Sequence, residues 1–131
     1  MYYRYPKEFI GYDEALEMQK LGFYEECMCI LRNGLIEVDM PTFQQAFRWF
    51  RRRFKLDSYV YRTDSSSENS LYWGYMIQYG YREKEKRFNC KSFATYEIAE
   101  VACLKSLISL AKDLEEDEDK SEKSLVVLPK N

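Results

Sequence analysis

An aromatic stripe runs through residues 42–55, whose sequence is TFQQAFRWFRRRFK. Its phenylalanines recur at spacings of four, three and four, and they are Phe43, Phe47, Phe50 and Phe54. In an α-helix, with about 3.6 residues per turn, this spacing places all four rings on one side. Because so many rings need a shared interior, we expect the rest of the chain to build its core around this helix.

The neighbouring residues indicate where the predicted helix begins and which side of it is buried. Pro41 disfavours helical backbone immediately upstream. Thr42 is a residue type that caps helix N-termini, and Gln45 stands where a capping-box partner belongs. Trp49 falls off the stripe, so the pattern predicts it outside the main buried face.

The opposite side of the predicted helix is basic. The candidate binding surface consists of its outward-facing cations, Arg48, Arg51, Arg52 and Lys55. Two interpretations stay open for this surface. The four side chains form the solvated back of a core helix, or they bind phosphate or another anion. Arginine suits the second role because its planar guanidinium group forms paired hydrogen bonds with oxyanions.

Charge is distributed unevenly along a chain whose formal net charge is −2. Residues 41–93 contain eleven Lys and Arg against five Asp and Glu, whereas residues 112–131 contain four against seven. A secondary basic cluster is predicted at Lys84, Lys86 and Arg87. The sequence therefore indicates a basic middle and an acidic tail.

Histidine is absent from the sequence, and this excludes several classes of chemistry. A histidine general base, a Ser-His or Cys-His nucleophile pair and a histidine metal ligand all require that residue. Glu97 and Glu100 form a carboxylate pair at helical spacing, but carboxylates in a first helical turn usually stabilise the helix itself. Because the sequence also has no glycine-rich phosphate loop and no paired-aspartate motif, it predicts no catalytic residue and no cofactor.

The cysteines are interpreted as buried, reduced thiols. A metal site would require Cys27 and Cys29, on one predicted strand, to meet Cys90 and Cys103, so no metal is predicted. The N-terminus has no continuous apolar segment of the kind found in secretory signals. No run of about 18 apolar residues is present, so no contact with a membrane is expected. These features together favour a cytoplasmic protein.

The remaining sequence predicts an α+β fold with the element order α-β-β-α-β-β-β-α. The elements outside the central helix are expected at residues 13–21 (helix), 27–32 and 35–39 (hairpin strands), 57–63, 71–81 and 88–93 (strands), and 96–114 (helix). Asn33-Gly34 is the signal for a type I′ hairpin turn, the charged run 82–87 reads as a turn, and Thr95 is expected to cap the last helix. We expect one antiparallel sheet with helices packed on one face, preceded by a helix and a hairpin.

Domain boundaries follow from the same patterns. A single α+β domain is predicted over residues 1–114, with its core at 41–112, and residues 115–131 form an acidic, mobile tail. The apolar island at 125–129 is a frayed end, a docked edge strand or a peptide that a partner binds. The last predicted helix has an unusually wide apolar surface, which either packs the N-terminal helix or forms a dimer face.

The order helix, strand, strand, strand, helix over residues 42–112 resembles the double-stranded-RNA-binding domain. The resemblance implies that both helices pack on one face of an antiparallel sheet. That family grips phosphates with a lysine-rich start of its last helix. The matching stretch, TYEIAE at residues 95–100, has no lysine and two glutamates. The resemblance therefore implies the layout of helices and strands, and it implies no RNA-binding residues.

Three blocks of the sequence resemble a group of small uncharacterised proteins from gut Bacteroidales genomes, prophages and phages. The blocks are YDEALEMQKLGF (12–23), PTFQQAFRWFRRRF (41–54) and ATYEIAEVACLKSLI (94–108). This resemblance implies an origin in a phage or another mobile element. It implies no particular activity.

Three functions from different classes are compatible with the sequence. A non-catalytic binding or accessory protein, acting through protein–protein contacts, is favoured because Tyr, Trp and Arg are enriched at interface hot spots. The basic helix face could instead bind nucleic acid or an anionic nucleotide, with exposed tyrosines stacking on bases. An enzyme would have to use carboxylates, Tyr, Lys or Cys. The sequence is also compatible with a homodimer, and an unexpected dimer would favour the first of the three.

Overall fold

The computed structural model describes residues 8–65, 70–80 and 86–127. Within them the elements are α1 (Tyr12–Lys20), β1 (Cys29–Asn33), β2 (Ile36–Met40), α2 (Phe43–Phe54), β3 (Asp57–Ser65), β4 (Ser70–Tyr79), β5 (Lys86–Phe93) and α3 (Tyr96–Val127). This is the predicted order, and the predicted α+β class is confirmed.

The strands form two antiparallel sheets. β1 and β2 make a two-stranded hairpin, and β3, β4 and β5 make a three-stranded sheet in sequence order. Tyr75 on β4 lies opposite Val60 on β3 and opposite Cys90 on β5. Residues directly opposite each other share a face of the sheet, so these three side chains lie on the inner face, toward α3.

α3 is the central element of the core. Its residues Ala99, Cys103 and Leu107 are fully buried, and α3 packs across β4 and β3. On another side of α3, α1 covers a second apolar strip that includes Leu104 and Ile108. α1 therefore packs against part of the extra apolar surface on α3, as one of the two predicted alternatives, while Ile98 at the start of α3 is 51% exposed.

The aromatic stripe of α2 is buried much as predicted, with one error. Phe50 is fully buried, whereas Phe47 is half-buried. The prediction for Trp49 was wrong, because this side chain is only 7% exposed. Its ring packs edge-on against Phe23, at 5.4 Å between centroids, and against Phe54, at 5.5 Å. Phe23 arrives from the loop after α1, so the burial of Trp49 depends on a distant part of the chain.

The hairpin turn lies one residue later than predicted. Asn33 pairs with Ile36, so the two loop residues are Gly34 and Leu35. Gly34 has a positive φ of 65°, and Leu35 does not have a positive φ. A turn with glycine at its first central position matches type II′ rather than the predicted type I′.

α3 continues thirteen residues beyond the predicted end at residue 114, as far as Val127. The added segment begins with Glu115 and Glu116, and Glu and Lys, which recur along it, are good helix formers. Residues 125–127 are helical, which rules out the edge-strand alternative for them; residues 128–131 lie outside the described chain. Among the described residues, no helix is both long enough and apolar enough to cross a membrane.

Candidate binding surfaces

α2 begins and ends at residues that fix its position. The Thr42 hydroxyl accepts a hydrogen bond from the Gln45 backbone N–H at 3.1 Å, which confirms the predicted N-cap. The predicted role of Gln45 as a capping-box partner is not seen, because its side chain turns elsewhere: Nε2 donates to the Glu26 carbonyl at 3.0 Å and to Glu25 Oε1 at 3.3 Å. At the other end, Lys55 adopts left-handed backbone with φ 60° and ψ 31°.

The predicted cations of α2 lie together on its outer surface. Arg48, Arg51, Arg52 and Lys55 are all exposed, and we call this surface the basic face. Their spacings of three, four and seven residues place them on adjacent turns of one side of the helix. Within the described part of the chain, no carboxylate forms a salt bridge with any of the four. The basic face therefore carries positive charge that the described residues do not neutralise.

Arg53 behaves differently from its neighbours. Its guanidinium group lies over the Phe54 ring, 4.8 Å from the centroid. A cation at this distance from a ring is held by a cation–π interaction. Arg53 therefore has a packing role on α2, which separates it from the basic face.

A hollow of about 250 Å³ adjoins the basic face. It is lined by Phe9, Met28, Thr42, Gln44, Gln45 and Arg48. Met28 is 95% exposed, and its thioether therefore offers apolar surface beside the Arg48 guanidinium group. Exposed methionine and arginine side by side are typical of the surfaces that proteins use to bind other proteins.

The secondary basic cluster is placed only in part. Lys86 and Arg87 begin β5 rather than lying in the predicted turn, and Lys84 lies outside the described residues. Lys86 pairs with Tyr79 and Arg87 with Gln78. Because successive residues of a strand point to opposite faces, Lys86 and Arg87 lie on opposite sides of the sheet.

A larger groove, which we call the α2–α3 groove, lies where the first turns of α2 and α3 meet, and its volume is about 610 Å³. It is lined by Glu8, Thr42, Phe43, Gln44, Phe47, Tyr96 and Glu100. Burial raises the pKa of the Glu100 carboxyl above its ordinary value, and the negative charge of Glu97 adds to this, while a hydrogen bond from Tyr96 opposes it.

The α2–α3 groove was missed by sequence reasoning because it combines three segments of the chain. Glu8 comes from the chain before α1, Phe47 from α2 and Glu100 from α3. Only the four-residue spacing of Tyr96 and Glu100, which puts them on one side of a helix, is visible in the sequence.

The outer face of the three-stranded sheet, away from α3, carries tyrosines. Tyr59 is 49% exposed, and the Tyr61 hydroxyl donates to Asn89 Oδ1. Tyr61 lies across Gly74, since a Cβ there would be 2.9 Å from Tyr61 Cζ and 2.8 Å from the Cys90 carbonyl oxygen. Gly74 is therefore required for the Tyr61 ring to cross β4.

The cysteines are all free thiols. Cys103 is fully buried as predicted, and burial raises its pKa to about 12. Cys27 is only half-buried, precedes β1 instead of lying on it, and has a pKa raised to about 11, mainly by burial. Since the thiolate is the reactive form, these two thiols are poor nucleophiles near neutral pH. No group of three or more metal-ligating side chains is found among the described residues.

No protein family, curated protein or solved structure that was compared with the chain matches it. The resemblances to the double-stranded-RNA-binding domain and to the Bacteroidales group therefore stay predictions.

Proposed function

We propose that this protein is a non-catalytic binding protein that docks an acidic surface of a protein partner on the basic face of α2. The observation that carries the proposal is that the four cations are exposed, contiguous and not paired with carboxylates of the described chain. Such cations can bind a partner's carboxylates without first breaking an internal ion pair. Charge-assisted hydrogen bonds of this kind are among the stronger polar contacts in interfaces.

The surroundings of the basic face favour a protein over a nucleic acid as the partner. Met28 and the hollow beside Arg48 add apolar surface, which a phosphate backbone would not use. The first turns of α3 carry Glu97 and Glu100, and the chain has a net charge of −2, both of which oppose the approach of a polyanion.

The proposed role is that of an accessory factor acting on a cytoplasmic protein of a host cell. The sequence blocks that resemble phage and prophage proteins support it, and the four free cysteines fit a reducing compartment. A non-catalytic role is supported by the absence of histidine and by the raised pKa values of the Cys27 and Cys103 thiols.

The proposal is tested with a fluorescent acidic peptide that contains leucines, titrated with the full chain. The variant Arg48→Ala/Arg52→Ala/Lys55→Ala is expected to bind the peptide at least about tenfold more weakly, because it loses three charge-assisted contacts. Circular dichroism is expected to show an unchanged fold, since all three side chains are exposed. Unchanged peptide binding, or an unfolded triple variant, would contradict the proposal.

A matched control removes the same charge elsewhere. The variant Lys20→Ala/Lys91→Ala/Lys105→Ala loses three exposed cations outside the basic face and is expected to bind the peptide within about twofold of the unmodified chain, by screened long-range attraction alone. An equal loss in both triple variants would assign the binding to net charge and not to α2.

Nucleic-acid binding is the second candidate, because Tyr59 and Tyr61 on the outer sheet face could stack on bases. The same titration is therefore run with labelled single-stranded RNA and duplex RNA at two salt concentrations. If RNA binds more tightly than the acidic peptide, and its affinity falls steeply with salt, then the partner is a nucleic acid and not a protein.

A further inference from the structure

The α2–α3 groove combines aromatic walls with carboxylates. On its α2 side the rings of Phe43 and Phe47 lie 6.1 Å apart between centroids. On its α3 side stands the Tyr96 ring, with the carboxylate of Glu100 one turn further along. Glu8, whose backbone carbonyl accepts a hydrogen bond from the Phe43 N–H, is a second acidic residue that lines the groove. The face of an aromatic ring and a carboxylate both attract cations.

The helix ends beside the groove have several of their first-turn donors already in use. A helix N-terminus attracts anions through its free N–H groups. Here the Phe43 N–H donates to the Glu8 carbonyl at 2.8 Å and the Gln45 N–H donates to the Thr42 hydroxyl at 3.1 Å. On α3 the Ile98 N–H donates to the Thr95 hydroxyl at 3.1 Å, which confirms the predicted cap. These three donors are used within the chain, and the two charged residues that line the groove, Glu8 and Glu100, are both acidic.

Tyr96 and Glu100 are held in position from behind. The Tyr96 ring packs edge-on against Trp73 of β4, with 5.3 Å between centroids. Its hydroxyl interacts with the half-buried Glu100 carboxylate closely enough to lower the pKa of Glu100, although burial raises that pKa more. No cation of the described residues forms a salt bridge with Glu100. A partly dehydrated carboxylate without a cation is stabilised when a cation arrives.

We infer that the α2–α3 groove binds an arginine side chain presented by a protein partner. The apolar stem of the arginine would lie along Phe43 and Phe47, and its guanidinium group would meet Tyr96 and Glu100. This goes beyond the proposed function, because the site lies outside the basic face and selects the opposite charge.

The experiment uses the full chain and N-acetyl-L-arginine amide, followed by chemical-shift titration. Glu100→Gln is expected to weaken binding about tenfold, through loss of the charge-assisted hydrogen bond. Phe47→Leu is expected to weaken it about threefold, through loss of one ring face. Glu116→Gln removes an exposed carboxylate elsewhere on α3 and is expected to leave the affinity unchanged. An equal effect of Glu100→Gln and Glu116→Gln would overturn the site.

Two further probes define the ligand. N-acetyl-norleucine amide keeps the apolar stem without the charge, so binding as tight as that of the arginine probe would overturn the inference. Spermidine binding more tightly than the arginine probe would assign the groove to free polyamines instead of a partner's side chain.

A last variant tests whether the chain fills its own groove. Arg4 and Lys7 are the cations preceding Glu8 in the sequence. Tighter probe binding by Arg4→Ala/Lys7→Ala would show that the chain's own cations occupy the groove, and this too would overturn the inference.

Discussion

The charged surface between α1 and α3 differs from the basic face of α2. On the first, Glu17 contacts Lys112 at 2.6 Å and Lys20 at 3.5 Å. On the second, none of the four cations is paired with a carboxylate of the described residues. Like charges one turn apart on a helix destabilise it by about 0.2–0.5 kcal/mol per pair. The favourable helix dipole at the C-terminal end of α2 offsets part of this cost.

The two surfaces differ in which charges the fold needs. Paired charges on α1 and α3 connect two helices that also share apolar contacts. The cations of the basic face form no salt bridge in the described chain, so this helix is held by its apolar side and by the hydrogen bonds of Gln45 and of the Phe43 N–H. A surface that contributes nothing to stability is free to be selected for binding, and three predictions test whether the two kinds of charge really differ in this way.

The largest expected effect is on the buried side of α2. Phe50→Ala is expected to lower the free energy of unfolding by about 3–5 kcal/mol, because it removes a fully buried ring and leaves a cavity. Urea denaturation followed by circular dichroism measures the change. Arg52→Ala, on the basic face, is the matched control and is expected to change the same quantity by at most about 0.5 kcal/mol. A comparable loss in both variants would show that the outer cations also hold α2 in place.

The features of α2 that could be predicted from sequence are those that one helix determines by itself. Phe50 is buried and Thr42 caps the helix because both depend on residues a few positions away. Trp49 could not be placed, since the ring that covers it, Phe23, belongs to a loop whose path is decided by tertiary packing. The exposure of Arg48 and Arg52 follows from helical periodicity, whereas their lack of a carboxylate partner depends on the whole fold.

The α2–α3 groove shows the same limit more clearly. Its two acidic residues, Glu8 and Glu100, come from segments that are far apart in the sequence. Nothing in the local sequence around Glu8 indicates that it lies beside α3. The end of α3 could not be placed for a different reason, because an acidic run such as residues 115–123 is compatible with both a helix and a disordered tail.

A smaller effect is expected at Lys55, where the basic face meets the end of α2. Its left-handed backbone costs a residue with a side chain about 1 kcal/mol. Lys55→Gly is therefore expected to raise the free energy of unfolding by up to about 1 kcal/mol. Glycine also gives the unfolded chain more conformational entropy, and this reduces the gain. The denaturation midpoint measures this gain.

Lys55→Ala separates the two causes of strain at this position. It removes the charge but keeps the Cβ, so no gain in stability is expected. If Lys55→Ala and Lys55→Gly raise the free energy of unfolding equally, the cause is instead repulsion between Lys55 and its neighbours Arg51 and Arg52. If Lys55→Gly alone gains stability and also weakens binding of the acidic peptide, then the lysine is kept for binding in spite of its backbone cost.

The smallest effect is expected at the paired surface between α1 and α3. The hydrogen bond from Lys112 is the main cause that lowers the pKa of the Glu17 carboxyl, with the charges of Lys112 and Lys20 adding to it. Because the folded pKa lies below the unfolded one, the pair contributes stability above an unfolded pKa of about 4.3. That contribution is lost as the pH falls through the folded pKa.

A double-mutant cycle of Glu17→Gln and Lys112→Met is expected to give a coupling free energy of about 0.5 kcal/mol at pH 7, because both side chains are partly exposed. The coupling should vanish at a pH below the folded pKa and shrink in high salt. Coupling that persists in acid would mean that packing of the two side chains, and not their charge, joins α1 to α3, and the contrast with the unpaired cations of α2 would then lose its electrostatic basis.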